Sequence, residues 1–321
     1  VTTTGTPLAP PLSTLRRIAA VGLATIAGFG VAVQSRINGE LGVRLADGIA
    51  AAVVSFGVGL LVLLVLVPAA ASGRRGLLAL RTALREGRLR PWQCLGGVCG
   101  ALLVATQGLT IGALGVAVFT VAVVAGQSGS SLLVDRAGIG PGGRAPITAN
   151  RLIGAVLTVL AVLLALADRL GDPDTLLLAV LPLAAGMGVA WQQAVNGQVR
   201  AASGSTLAAT LVNFTVGTVA LLVAFAVDLA VRGWPTGRLP AEPWFYLGGP
   251  IGIVFIAIAA ALVRFTGVLL LGLATIAGQI IGAALLDVVL PTAASRPGPT
   301  TLPGAALTLI AVLIATGRPR R

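Results

Sequence analysis

Histidine and lysine are absent from all 321 residues, and most of the side-chain chemistry of enzymes goes with them. Without histidine there is no Ser-His-Asp triad, no imidazole metal ligand and no imidazole proton relay. Without lysine there is no Ser-Lys pair and no way to complete a P-loop. Charged residues are only 10% of the chain and aromatic residues 4%. Cysteine occurs twice, at Cys94 and Cys99. Five residues apart on a helix, the two face different directions, so neither a disulfide nor a metal pair is implied. No cofactor-binding pattern stands out, because the glycines at 22, 28 and 30 sit in an apolar run with no strand before them.

One catalytic motif is present in outline. Gly126-Gln127-Ser128-Gly129 has the form found around the nucleophile of rhomboid-type membrane proteases. Those enzymes need a histidine on a neighbouring helix, and this chain has none. The small residues are read instead as helix-packing positions.

What the chain does contain is apolar sequence, 56% of the residues, with a mean hydropathy of +0.99. Stretches long enough to cross a hydrocarbon core, about 20 residues, recur throughout. They predict ten spans, at 15–34, 46–68, 93–112, 114–134, 150–167, 175–195, 206–230, 244–263, 267–290 and 302–317. No soluble domain fits between them. The Pro- and Thr-rich start lacks the form of a cleavable signal peptide.

The second half repeats the first. An offset of 158 residues carries Val31, Ala32, Gln34, Asn38, Gly39, Ala51, Phe56, Val58 and Gly59 onto identical residues. Further on, an offset of 152 carries Pro91-Trp92, Gly96-Gly97 and Gly100 onto Pro243-Trp244, Gly248-Gly249 and Gly252. The same offset carries Ala125-Gly126-Gln127 and Asp135 onto Ala277-Gly278-Gln279 and Asp287. The slip places a longer loop after the second span of the first half. A duplicated unit of five spans must lie in the membrane in opposite orientations in its two copies. The expected organisation is a disordered tail over 1–14, repeats over 15–167 and 175–317, a linker over 168–174, and a tail over 318–321.

All 22 basic residues are arginine, against 10 acids, for a net charge of +12. Their distribution argues against nucleic acid as a partner, since nearly all lie at span ends. With the N-terminus inside, the cytoplasmic side holds 16 of them, six within the loop 69–92. The opposite side holds Arg36, Arg44, Arg169, Arg232, Arg238 and Arg296. This bias predicts cytoplasmic termini.

Polar residues inside the spans are the candidates for function, because an unpartnered buried amide costs about 1–3 kcal/mol. Gln34 and Asn38 stack one turn apart and recur as Gln192 and Asn196. Gln127 recurs as Gln279, each after a glycine, and Ser55 is matched by Asn213. Interhelical packing and solute contact are both open to each residue; mirrored repetition favours solute contact for the set. Amides donate and accept, which suits a neutral or zwitterionic solute. Asp135 and Asp287 are the acids that recur, either as interface residues or as proton carriers. Trp191, beside Gln192, is open to ligand stacking or to the interfacial aromatic belt. Gly96/Gly100, Gly108/Gly112, Gly248/Gly252 and Gly278/Gly282 are close-packing pairs.

The ordered set Q-x3-N-G, S/N-F-x2-G, P-W-x3-G-G-x2-G and A-G-Q-x7-D resembles the YdcZ-type branch of the drug/metabolite transporter superfamily. The resemblance covers about 15–317 in two copies. It implies an all-α inner-membrane protein of ten transmembrane helices in two inverted five-helix repeats. It also implies a central cavity formed by the first four spans of each half, with the fifth and tenth peripheral. The first span lacks the embedded glutamate of the small multidrug-resistance relatives. The function expected is secondary transport of a small polar or drug-like solute across a bacterial cytoplasmic membrane, as a monomer or homodimer. The alternatives are a membrane-embedded enzyme or a structural or receptor-like protein.

Overall fold

The structure is a computed structural model that describes residues 14–144, 146–165, 167, 173–290 and 299–316. Of these, the side chains of 14–17, 175, 260, 263–270, 273, 312, 315 and 316 lie outside the description. Most of the expected tails and of the linker, and the side chain of Arg264, therefore fall outside it. The described helices are α1 (Thr14–Leu45), α2 (Gly48–Ala69), α3 (Ala71–Arg85), α4 (Gly96–Leu114) and α5 (Val116–Ala137), followed by α6 (Ala149–Ala165), α7 (Pro173–Ser203), α8 (Thr206–Arg232), α9 (Gly248–Val289) and α10 (Thr301–Thr316). Short 3-10 turns at Pro91–Cys94 and Pro243–Tyr246 lead into α4 and α9. No strand occurs among the described residues.

Three boundaries differ from the spans expected. α1 continues eleven residues past Gln34, and α7 runs to Ser203. Nothing stops α1 before Ala46, whose φ of 53° ends it, and Asp47 then caps α2. The Asp47 carboxylate accepts from the backbone N–H groups of Ile49 and Ala50 at 2.8 and 2.9 Å. Ser205, its counterpart, caps α8 through the N–H of Ala208. Second, the Arg-rich loop contains a helix, α3, which buries Gly73, Gly76, Leu80 and Ala83 and exposes Arg74, Arg75, Arg81 and Arg85. Its Leu80 and Ala83, with Leu89 beyond its C-terminus, pack against Val199 and Ala209. Third, α9 spans 42 residues and takes in both the eighth and ninth expected spans.

α9 doubles back. Gly248 and Gly252 lie against Asn38 and Gln34, whereas Gly278 and Gly282 lie against Thr25 and Phe29. Its first limb, up to Leu262, thus runs antiparallel to α1, and its second limb, from Leu271, runs parallel to it. In the first half the same two limbs are α4 and α5, separated at Gly115 with φ 78°. The ten expected spans are therefore present as eight membrane helices and the two limbs of α9.

Each half grips the other through the same contacts. A β-carbon at Gly278 would strike the Thr25 carbonyl of α1, and one at Gly126 the Leu183 carbonyl of α7. Gly28 meets Thr275, and Gly186 meets Val123. Each pair maps onto the other by the repeat offsets, so the halves are related by a pseudo-two-fold axis and are antiparallel. α6 and α10 pack on each other, with Gly304 against Ala161 and Ala165, outside α5 and the second limb of α9. Leu61, Val65, Leu222, Val223 and Val227 of α2 and α8 are exposed, the outward apolar surface that a bilayer covers.

Candidate functional site

Phe56 of α2 and Phe214 of α8 meet with ring centroids 4.9 Å apart. Each ring sits over the other half's glycine, Phe56 on Gly217 and Phe214 on Gly59. The pair marks the pseudo-two-fold axis, and the mirrored amides are arranged about it. Gly252 stands between Gln34 and Phe214; Gly100 stands between Gln192 and Phe56. In each case the amide and the aromatic edge both border the space that a β-carbon would take.

On the Asn196 side, the Asn213 carboxamide oxygen accepts from Gln192 at 2.9 Å and from Asn196 at 3.0 Å. On the Asn38 side, the shorter Ser55 cannot bridge in this way. Asn38 instead donates to Gln107 at 2.7 Å, and Gln107 donates to Ser35 at 2.9 Å. Asn38 Oδ1, Ser55 Oγ and Asn213 Nδ2 are sealed from solvent without a hydrogen-bond partner among the described residues. Gln34, Gln127 and Gln279 are 4–7% exposed and lack a partner among the described residues. Their amide atoms are absent from the sealed set and so keep a small accessible surface.

Of the eight amide and hydroxyl residues expected at a solute site, Gln192 and Asn196 line a cavity of about 70 Å³. Val189, Gln193 and Gly197 of α7 complete one wall. Leu103 of α4 and Phe255, Ile256, Ala259 and Leu271 of α9 form the other. At the corresponding place on the Asn38 side the helices are shut together. Gly39 of α1 presses on Ile111, Gly42 on the Gly108 backbone, and Gln107 bridges α4 to Ser35 and Asn38. Gln34 and Asn38 thus lie on one side of the Phe pair, and Gln192 and Asn196 on the other. Gln127 and Gln279 lie on α5 and the second limb of α9, next to the glycines that press on α7 and α1.

The two recurring acids carry different partners. Asp135 pairs with Arg151 of α6. Asp287 accepts from the backbone N–H of Ala117, in the first turn of α5, at 2.8 Å, and lies 3.8 Å from the guanidinium of Arg36. Arg36 also pairs with Glu40 and donates to the Leu290 carbonyl at 2.8 Å. Neither arginine recurs: Ala194 and Pro303 stand at their matching positions. Glu40, which falls between the first two expected spans, is on α1.

Gln107, Ser35, Arg36 and Arg151 are the polar contributors that a search for repeated residues passes over. Gln107 is matched by Ala259 and Ser35 by Gln193. A single glutamine in an apolar span was the available signal. Trp191 stacks on Trp92 with centroids 6.3 Å apart. No cluster of three or more metal-ligating side chains occurs among the described residues.

The family described as "Putative inner membrane exporter, YdcZ" matches residues 19–164 and again 177–314. The chain belongs to the YdcZ family of drug/metabolite transporters. Two tandem matches agree with the two antiparallel halves, and membership makes the chain a multi-pass membrane transporter. A crystal structure, titled only as that of a protein, is similar with a TM-score of 0.56 at 20% identity. The match covers 95% of this chain and 97% of that one, a likeness of fold alone. None of the curated proteins compared matches the chain.

Proposed function

We propose that this YdcZ-family chain moves a small polar solute across the bacterial inner membrane by alternating access. One observation carries the reading: two symmetry-related helix pairs are packed differently. α1 and α4 are closed on the Asn38 side, whereas α7 and the first limb of α9 stand apart around the cavity on the Asn196 side. The two halves share one repeat unit, and the difference in packing coincides with positions at which they differ, Gln107 against Ala259 and Ser35 against Gln193. Exchanging the two packings would close the Asn196 side and open the Asn38 side, with the Phe56–Phe214 contact as the fixed centre.

The arginine distribution supports cytoplasmic termini, which places the open cavity on the cytoplasmic side. In this reading Gln192, Asn196 and Asn213 meet the solute first, and Gln34, Asn38 and Ser55 meet it after the switch. Gln127 and Gln279 present unpaired amides from the flanking helices. A solute with donors and acceptors replaces the amide–amide bonds at little net cost.

Asp135 and Asp287 are held in ion pairs, and Asp287 bridges α5, α1 and α9. Coupling to protons would act at the moment when the switch separates a carboxylate from its arginine. The experiment is uptake of candidate polar metabolites into liposomes, with chemical analysis of the contents. Accumulated, unmodified solute supports the proposal. Conversion of the solute, or no uptake from any metabolite that stabilises the protein, refutes it.

A further inference from the structure

The pseudo-symmetry has one conspicuous defect. On the Asn196 side, Trp92 is covered by the indole of Trp191. Val134, Ala190, Ala194 and Ile139 pack around that indole, and Gln198 donates to the Ile139 carbonyl at 3.1 Å. On the Asn38 side Trp244 takes the place of Trp92, but Val33 takes the place of Trp191. Among the described residues no ring stacks in its place; Phe245, the next residue along, meets Trp244 only at a tilt, with centroids 6.1 Å apart. A pocket of about 450 Å³ is left there, lined by Val33, Arg36, Ile37, Glu40, Trp244, Leu286 and Leu290. Trp244 is 54% exposed.

The charges at this pocket are also specific to the first half. Arg36, Glu40 and Asp287 carry one net negative charge, where the other side has neutral Ala194 and Gln198 beside Asp135. Arg36 is committed to Glu40, Asp287 and the Leu290 carbonyl. Nearby Arg44 is held by Glu242 and lies over the Phe245 ring. Glu40, on the pocket wall, is bound through Oε1 to Arg36. Its second carboxylate oxygen is unengaged among the described residues. An uncovered indole face and an available carboxylate oxygen in one pocket form a receptor for a cation.

We propose that this pocket binds an alkylammonium group, with the ammonium on Glu40, a ring-face contact to Trp244, and the alkyl part against Val33, Ile37, Leu286 and Leu290. The ammonium belongs either to an ethanolamine phospholipid, since the pocket lies at the ends of membrane helices, or to a soluble amine. This site is separate from the amide cavity and does not depend on the transport reading.

The test is equilibrium dialysis of radiolabelled n-butylammonium against the purified chain in phosphatidylglycerol nanodiscs, at fixed ionic strength. Saturable binding is expected, weakened about fivefold by Glu40→Gln. Val33→Trp, which restores the covering indole of the other half, should abolish it. Repeating the titration in nanodiscs containing phosphatidylethanolamine separates the sources. Competition identifies the lipid headgroup, and unchanged binding identifies a soluble amine. Absence of saturable binding, or binding unaffected by Glu40→Gln, overturns the proposal. Liposome uptake, measured separately, reports on transport alone.

Discussion

Phe56 and Phe214, which the repeat makes equivalent, touch across the pseudo-two-fold axis, each ring in the notch of the other half's glycine. The Phe-x2-Gly spacing in α2 and α8 is what permits this: three residues along a helix, the glycine lies on nearly the same face as the ring. The halves thereby meet at the centre, ring against glycine on both sides of the axis.

The tightest places in this arrangement are backbone against backbone. A β-carbon at Gly97 would overlap the Asn213 carbonyl, and one at Gly249 the Ser55 carbonyl. Gly97→Ala and Gly249→Ala should each destabilise the protein by about 1–3 kcal/mol. Gly57→Ala, where nothing lies within 4 Å, should be neutral or stabilising by up to about 1 kcal/mol. Thermal unfolding of the three variants in one detergent checks the contrast.

Gln107 is predicted to hold the Asn38 side closed. Gln107→Leu keeps the volume but leaves the Asn38 and Ser35 groups without their partner, at a cost of about 1–3 kcal/mol. A thiol reagent should then reach a cysteine at position 35 more readily in this variant than in the parent. Equal labelling rates would show that the closure rests on the glycine contacts alone.

Asn213 gathers Gln192 and Asn196 onto one oxygen. Asn213→Ala should strand both donors and lower uptake at least tenfold. Asn213→Ser, the residue of the other half, should retain part of the activity by admitting a water. Initial uptake rates in liposomes separate the two variants.

For the acids, Asp287→Asn preserves an acceptor for the Ala117 N–H while removing the charge facing Arg36. If the carboxylate cycles a proton, uptake driven by a pH gradient is lost while solute exchange survives. The double variant Asp135→Asn with Asp287→Asn, showing unchanged pH-driven uptake, would assign both residues to architecture.

The fold was legible because it is written twice. Span number, inversion and the matched glycines all follow from apolar length and the two offsets. The helical continuation of α1 to Leu45 was hidden because hydropathy falls at Arg36 and Glu40, which the structure pairs one turn apart on the helix, Arg36 buried and Glu40 partly exposed. α3 was hidden because its apolar face consists of small residues, Gly73, Gly76 and Ala83, with Leu80. At the site, repetition pointed to Gln192, Asn196 and Asn213 but passed over Gln107 and Arg36. Those residues act where the halves differ, and a search for sameness cannot find them. Asymmetric side chains are where the two copies of the unit pack differently.

The central claim is that equivalent positions in the two halves are in opposite states, open at Gln193 and closed at Ser35. With Cys94 and Cys99 replaced by alanine, Ser35→Cys and Gln193→Cys are labelled in right-side-out and inside-out vesicles with a membrane-impermeant maleimide. The account predicts rapid labelling of position 193 from the cytoplasmic side only, and protection of position 35 from both sides. Solute supplied on the outside should raise labelling at 35 from the periplasmic side and lower it at 193. Labelling of both positions from the same side would contradict the antiparallel halves. Simultaneous labelling of both from opposite sides, unaltered by solute, would contradict alternating access.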